Sequence, residues 1–338
     1  MERRGIDRLP FPKLWLTLGI FALVLLAYLA CGAVFGGVGA LFGPDRDAES
    51  LAELQVHAVV ALLIGYMATH QLRMRRELQR DLAALRPLLA DGAEVSGEEI
   101  FSGVSRLPQT IVTIVGGLLG IAIIPLFRGD AGFFPDRAGG EFDVLWSSAA
   151  NFALFAMMAR FAYTGISVGA QLDERVTRKI RIDLLDLHPL APYARRGLRS
   201  AMYWLLGSSI ASLLFLRFGF LWAHVFILIG TISVGVFAIL QPLRGVHGRL
   251  EEEKRRELAV LRAAIRSTRE QVLGEGPGAA DAALRLPGLL AMEARIEGVS
   301  TWPFDVSTYL RFSALGLLAV GSWLGGAVIE RLLGLAVD

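Results

Sequence analysis

The sequence has almost no cysteine and almost no net charge, and each absence excludes a class of protein. Cys31 is the single cysteine among 338 residues, so no disulfide can form within the chain and no zinc site can be built from several cysteines. The five histidines are scattered and none has metal-ligand spacing, so we expect no metal and no other cofactor. A formal net charge of +2 gives no reason to expect binding to nucleic acid.

Long apolar runs occupy much of the chain. Hydrophobic residues make up 54% of it and the mean hydropathy is +0.51, well above an ordinary soluble domain. A helix needs roughly 20 apolar residues to cross the ~30 Å hydrocarbon core of a membrane. The pattern therefore predicts an all-α, polytopic membrane protein with seven transmembrane helices. The predicted spans are Leu14–Gly43, Gln55–Gln71, Thr110–Phe127, Leu145–Val168, Ala201–Leu216, Phe220–Leu240 and Phe312–Leu335.

Lysine and arginine are unevenly distributed between the two sides of these spans. The segments 1–13, 72–109, 169–200 and 241–307 hold 4, 6, 7 and 10 such residues, whereas the loops on the opposite side hold 1, 2 and 1. Because positive residues are retained on the cytoplasmic side, we predict a cytoplasmic N-terminus and an external C-terminus. The protein is then a multi-pass protein of the cell membrane, with the bacterial inner membrane favoured.

The spans divide the chain into four predicted parts. They are a cytoplasmic N-terminal segment (1–13), a six-span bundle with cytoplasmic helical loops (14–240, loops 72–109 and 169–200), a cytoplasmic helical extension (241–302) and a long last helix that includes the seventh span (303–338).

The predicted cytoplasmic segments carry apolar stripes at helical spacing. One stripe lies within 73–90 and another within 249–272, and both need a partner surface. We therefore expect the helical extensions to form a bundle, either within one subunit or between subunits. The stripe residues are Met74, Leu78, Leu82, Leu85, Leu89, Leu258, Leu261, Ile265 and Val272.

Polar residues inside predicted spans are costly and mark candidate sites. Arg160 is a candidate intramembrane charge in span four, unless its side chain reaches the cytoplasmic interface. His57, Asn151 and His224 fall near the outer ends of spans two, four and six, where they either line an outward-facing pocket or are solvated. Apart from Glu330 near the end of span seven, no carboxylate falls within a span, which disfavours an ion-coupled transporter.

A membrane serine protease would need a serine and a histidine within hydrogen-bond reach. Ser209 in span five and His224 in span six are the candidates, but the serine is predicted about half a span deep and the histidine near the outer surface. Hydroxyl residues in spans more often pack against other helices. We therefore expect no catalytic residues and no enzyme.

The last predicted span has the most polar face of all. A helix from Thr301 to Leu335 is ~50 Å long, which exceeds the membrane core and places Arg311 at the cytoplasmic mouth. This face would line the central pore of an oligomer, with a constriction at Leu318, or would pack on a span of the same subunit. The predicted pore-lining residues are Ser307, Arg311, Ala314, Leu318, Ser322 and Gly325.

This topology resembles the seven-transmembrane ion channel superfamily of insect odorant and gustatory receptors. Shared features are seven spans, a cytoplasmic N-terminus, helical extensions and a polar-faced last span with a Thr308-Tyr309 pair. Here Leu310–Phe312 follow that pair, where the family has five apolar residues and then Gln-Phe. The resemblance implies a homotetramer whose last span lines the pore and whose extensions join the subunits. The chain is also similar to bacterial multi-span membrane proteins, which implies no function.

Two functions from different classes remain open. The leading hypothesis is an oligomeric ion channel, gated by a ligand or another cue, with the lipid bilayer and further copies of the chain as partners. The alternative is a non-conducting membrane scaffold or sensor that recruits a cytoplasmic protein partner through its helical bundle. A transporter is the third class considered.

Overall fold

The computed structural model describes residues 12–35, 48–89, 95–122, 140–213, 222–274 and 278–301. Within these ranges the chain is helical, and its only β contact is an isolated antiparallel bridge between Leu89 and Ile180. The predicted all-α fold class is therefore confirmed for the described part of the chain.

Eight α-helices follow one another along the described residues. They are α1 (Pro12–Phe35), α2 (Ala48–Leu85), α3 (Gly97–Ser102), α4 (Arg106–Ala122), α5 (Gly140–Arg175), α6 (Ala191–Ser212), α7 (Trp222–Leu273) and α8 (Ala279–Glu297). With 38, 36 and 52 residues, α2, α5 and α7 extend about 57, 54 and 78 Å at 1.5 Å per residue. Each of the three joins a predicted span and a predicted extension in one continuous helix.

Two helices in the described ranges are long and apolar enough to cross a membrane. One is α1, and the other is the stretch Val144–Lys179, which overlaps α5. They coincide with the first and fourth predicted spans, and the shorter apolar helix α4 coincides with the third. Seven spans are thus not confirmed. The seventh predicted span lies outside the described residues.

The predicted stripes of the extensions belong to one hydrophobic core. Leu78, Leu82 and Leu85 of α2 share this core with Leu258 and Leu261 of α7. Side chains of α3, α5, α6, α8 and the α5–α6 connection complete it, among them Ile100, Val168, Leu172, Val176, Ile180, Leu190, Tyr193 and Ile296. Except for Val272, the stripe residues therefore pack within one subunit, which is one of the two arrangements that the sequence left open.

A second core lies at the other end of α2. There α2 packs against α5, with Val60, Leu63 and Met67 of α2 and Ala150 and Leu154 of α5 among its buried side chains. Both α2 and α5 contribute buried side chains to the two cores, so both helices link the predicted spans to the predicted extensions.

The close approach of α4 to α5 requires glycine on α4. A Cβ atom on Gly116 would lie 2.4 Å from the Cβ of Ala159, and one on Gly120 would lie 2.7 Å from the carbonyl oxygen of Asn151. Real Cβ atoms do not approach other atoms this closely, so larger residues would force α4 away from α5. Small residues at such contacts are typical of helix packing in membranes.

A charge in the core of the extensions should destabilise the protein. Leu261 is 8% exposed and Ile265 packs against the same core, so we expect Leu261→Asp to lower the free energy of unfolding by about 3 kcal/mol and Ile265→Asp by less. Val260→Asp is the matched control, because the side chain of Val260, which precedes Leu261 in the sequence, is 68% exposed. Thermal unfolding of the three variants in detergent is the measurement. Equal stability of all three variants would mean that the stripe of α7 is exposed to water and does not pack in the core.

Candidate functional site

The six predicted pore-lining residues all lie outside the described residues, so their role stays a prediction. They are Ser307, Arg311, Ala314, Leu318, Ser322 and Gly325. The candidate intramembrane charge Arg160 is described, and its side chain is exposed on the surface of α5. Its backbone carbonyl accepts a hydrogen bond from the hydroxyl of Thr164. Arg160 is thus a surface residue of a helix that is long and apolar enough to cross a membrane.

The described side chains of the predicted outer pocket are buried. The His57 ring lies 4.3 Å from the ring of Tyr28, which also contacts the ring of Trp146 at 5.5 Å. Asn151 donates a hydrogen bond to the carbonyl of Ser147 on its own helix at 2.8 Å. Only the backbone of His224 is described, in the first turn of α7. His57 and Asn151 therefore serve packing within the described chain, and the outer pocket stays a prediction.

Two carboxylates one turn apart on α2 form the centre of a largely buried ionic cluster. Glu77 accepts hydrogen bonds from Lys13 of α1 and, at 2.7 Å, from the hydroxyl of Tyr203 of α6. Asp81 accepts a hydrogen bond from Arg199 at 2.5 Å, and the Nε atom of Arg199 lies 3.6 Å from Glu77. The cluster therefore joins α1 and α6 to the middle of α2.

Arg196 completes this ionic cluster on α6. Its Nη1 atom lies 3.9 Å from an oxygen of Asp81, and 15% of its side chain is exposed. Arg196 makes no hydrogen bond to another described residue, so its five N–H donors are available to a group that enters from outside. Burial lowers the pKa of Arg196, and the charge of Asp81 opposes this effect.

The environment of Glu77 favours its charged form. Burial alone would raise the pKa of Glu77, but hydrogen bonds from Lys13 and Tyr203 and the charges of Lys13 and Arg199 outweigh burial. The pKa of Glu77 therefore lies below its ordinary value. The carboxylate is ionised at neutral pH and holds its three partners in place.

The ionic cluster forms the polar wall of a cavity of about 250 Å³. Phe161, Ile166, Trp204 and Phe237 contribute an apolar wall from α5, α6 and α7. The polar wall consists of His70, Glu77, Asp81, Arg196, Arg199 and Tyr203. A cavity with charged groups at one side and aromatic side chains at the other is suited to a small ligand with a polar end.

His70 brings an unsatisfied polar atom to this cavity. Its ring lies between those of Tyr203, at 3.7 Å, and Tyr66, at 4.4 Å. His70 is 6% exposed, and its Nδ1 atom has no hydrogen-bond partner among the described residues. Buried polar atoms nearly always have a partner, so this nitrogen suggests a group that would occupy the cavity.

The ionic cluster was not predicted from the sequence. Its basic residues counted only as markers of the cytoplasmic side, and neither Glu77 nor Asp81 was a candidate. A usable signal was present, because Glu77 and Asp81 lie on the helix face that also carries Leu78 and Leu82. Carboxylates on a buried face require cations, but the sequence does not show which cations reach them.

Loss of the Glu77 carboxylate should loosen α1 and α6. We expect Glu77→Gln to lower the free energy of unfolding by about 3 kcal/mol at neutral pH, since three donors lose a buried anion. Because the folded-state pKa of Glu77 is lowered from 4.5, this stabilisation is complete above that pH and is lost as the pH falls through the lower value. Thermal unfolding from neutral to acidic pH measures it, with the wild-type advantage shrinking in acid.

Glu252→Gln is the control for this variant. The Glu252 side chain is 69% exposed and pairs with Arg249 one turn away, so its loss should leave stability unchanged within error. A Glu77→Gln protein as stable as the control at neutral pH would contradict a structural role for the cluster.

The ionic cluster can bind a charged group through its cations and carboxylates. Among the described residues, no group of three or more histidine, cysteine, aspartate or glutamate side chains could hold a metal ion. Comparison with protein-family models, with curated proteins and with solved structures finds no match for this chain.

Proposed function

We propose that the chain is a seven-span protein of the cell membrane and forms an oligomeric ion channel whose last span lines the pore. The observation that carries this proposal is the return of the chain along the α7–α8 hairpin. A ring nitrogen of His247 in α7 lies 3.0 Å from the carbonyl oxygen of Thr301, just after α8. Thr301, eleven residues before the last predicted span, thus lies beside the helix that continues predicted span six.

The distances along the helices support this topology. Predicted span six ends at Leu240, seven residues before His247, so Thr301 lies ~10 Å from the predicted membrane surface. A helix starting at Thr301 would return to that surface in about seven residues and place Arg311 one turn further on. This position agrees with the one that the length of the last span predicts for Arg311.

Polar contacts hold the hairpin in this arrangement. Lys254 of α7 donates hydrogen bonds to the carbonyls of Glu297 and Val299, at 2.7 and 2.8 Å. Arg262 of α7 pairs with Glu293 and Glu297 of α8. Because these contacts lie along both helices, the end of α8 is fixed relative to α7.

The apolar surfaces of α1 and α4 support a location in the membrane. Soluble monomers rarely expose continuous apolar surfaces of this extent, whereas lipid chains would cover them. The exposed side chains are Leu14, Trp15, Leu18, Leu23, Leu26, Val34 and Phe35 of α1, and Leu107, Ile111, Ile114, Val115, Leu118, Leu119 and Ile121 of α4.

Exposed apolar side chains on α8 support a contact with a further protein chain. Leu284, Leu290 and Met292 are 81%, 47% and 44% exposed, in a predicted cytoplasmic part. In the channel some of these side chains would contact a neighbouring subunit. They equally suit the alternative function, a non-conducting scaffold or sensor that recruits a cytoplasmic protein.

The seven-span topology can be tested with two introduced cysteines. In a Cys31→Ser background, Asp136→Cys should react with a membrane-impermeant maleimide in intact cells, because it lies in a predicted outer loop. Gly276→Cys should react only after permeabilisation. Reaction of both cysteines from the same side would contradict the topology.

Conductance tests the role of the last span. If Arg311 lines the inner mouth, its charge concentrates anions there, so Arg311→Glu should shift the permeability ratio toward cations, most clearly at low salt. Leu318→Ala should widen the apolar constriction and raise the basal current. Currents are recorded in planar bilayers with purified protein. Arg266→Glu, an exposed position on α7, is the control that should leave selectivity unchanged.

These recordings also separate the two functions. Absence of current in every variant, with insertion confirmed and candidate cues screened, would contradict the channel and favour the scaffold or sensor. Currents that Arg311→Glu and Leu318→Ala leave unchanged would show that the last span does not line the pore.

A further inference from the structure

We propose that the cavity beside the ionic cluster binds an anionic amphiphile, with its acidic head group on Arg196 and its apolar chain along the aromatic wall. The cavity and its lining come from the structure itself. The inference rests on the proposed topology only in placing the source of the ligand at the inner membrane surface. Lys13, Ser200 and Gln241 each lie next to the predicted cytoplasmic end of a different span. The cavity is therefore at the level of the inner membrane surface, where acidic lipids and fatty acids present their head groups.

The cluster contains one more cation than anions. Lys13, Arg196 and Arg199 are positive, whereas Glu77 and Asp81 supply two negative charges. The carboxylates accept hydrogen bonds from Lys13 and Arg199, whereas Arg196 lies 3.9 Å from Asp81 and makes no hydrogen bond to a described residue. A largely buried guanidinium gains most from a carboxylate or phosphate, whose oxygens match its fork of N–H groups.

His70 supplies a second polar contact in the same cavity. Its buried Nδ1 atom has no partner among the described residues. In the tautomer that carries the proton on Nδ1, this nitrogen would donate a hydrogen bond to an oxygen of the head group. Two donors from α2 and α6 would then hold the acidic group from two directions.

The apolar wall explains why the ligand should carry a chain. Phe161 and Trp204 line the interior, while Ile166 and Phe237, each 48% exposed, continue the apolar surface outward. The cavity has a volume of about 250 Å³. The cavity thus fits a head group and the first carbons of a chain, and the rest of the chain would follow the exposed wall into the lipid.

Gly165 offers a way to block the cavity without touching its charges. It lines the cavity, and a Cβ atom added to it would meet no atom within 4 Å. Gly165→Leu should therefore place a side chain in the open space while α5 is kept. Gly19→Leu on α1 is the matched control, since a Cβ atom there also meets nothing within 4 Å and Gly19 does not line the cavity.

The experiment titrates the full-length protein, in a neutral detergent, with 2-bromodecanoate, whose bromine lies next to the carboxylate and quenches tryptophan fluorescence at short range. We expect saturable quenching that decanoate reverses and that Trp204→Phe largely removes, because Trp204 lines the cavity. Arg196→Gln should weaken binding at least tenfold. Arg195→Gln, the exposed neighbour on α6, should bind like the wild type.

Gly165→Leu keeps the test valid if Arg196→Gln fails to fold. Its thermal stability should match that of Gly19→Leu, and its affinity for the brominated acid should fall at least tenfold. A folded Gly165→Leu protein with wild-type affinity would overturn the proposal, as would equal losses in Arg196→Gln and Arg195→Gln.

The competitors identify the ligand chemistry. Decyltrimethylammonium and decanol should compete poorly, and equal competition by either would overturn the role of the acidic group. If the ligand is an acidic phospholipid, vesicles that contain this lipid should compete with the brominated acid. If the ligand is a free fatty acid, decanoate should compete and the vesicles should not. Equal competition by inorganic phosphate would overturn the role of the chain. The assay measures neither current nor topology, so its failure is distinct from failure of the proposed channel.

Discussion

Glu77 and Asp81 lie one helical turn apart on α2, with 13% and 11% of their side chains exposed. Two carboxylates so close and so buried remain charged only if cations surround them. Lys13 and Arg199 meet this requirement from 64 residues before Glu77 and 118 residues after Asp81. The need to neutralise α2 therefore decides where α1 and α6 attach. Because α2 also contributes to both hydrophobic cores, this attachment is connected to the packing of α5 and α7.

Periodicity predicted the all-α fold and the buried face of the extensions, because Leu78, Leu82, Leu258 and Leu261 repeat at helical spacing. It did not predict which helix covers which, since contacts such as Glu77 with Tyr203 join segments 126 residues apart. The same limit applies to His57, which the sequence places at the end of a span but which the structure covers with the Tyr28 ring. Hydropathy gives the depth of a residue in a span and leaves its neighbours undetermined.

The basic residues from which the orientation of the chain in a membrane is predicted also build the candidate site. Lys13, Arg196 and Arg199 lie at or near the predicted span ends, where the positive-inside tendency alone would place them. In the structure they contact carboxylates of α2, so their positions are fixed by specific partners as well as by net charge. A residue count cannot separate these two roles, which is why the ionic cluster was missed. Six predicted pore-lining residues lie outside the described chain, and for them the sequence pattern is the sole basis.

The length of α7 has a mechanical consequence. Pro242 lies two residues beyond the predicted end of span six, and a proline has no amide hydrogen to donate to the carbonyl four residues earlier. The helix therefore lacks one backbone hydrogen bond near the predicted membrane surface and continues from there to Leu273, ~46 Å away. A tilt of about 5° at Pro242 would move the far end by about 4 Å, the size of a side chain. In the proposed topology, α7 would thus convert a small motion at the inner membrane surface into a larger displacement at its far end.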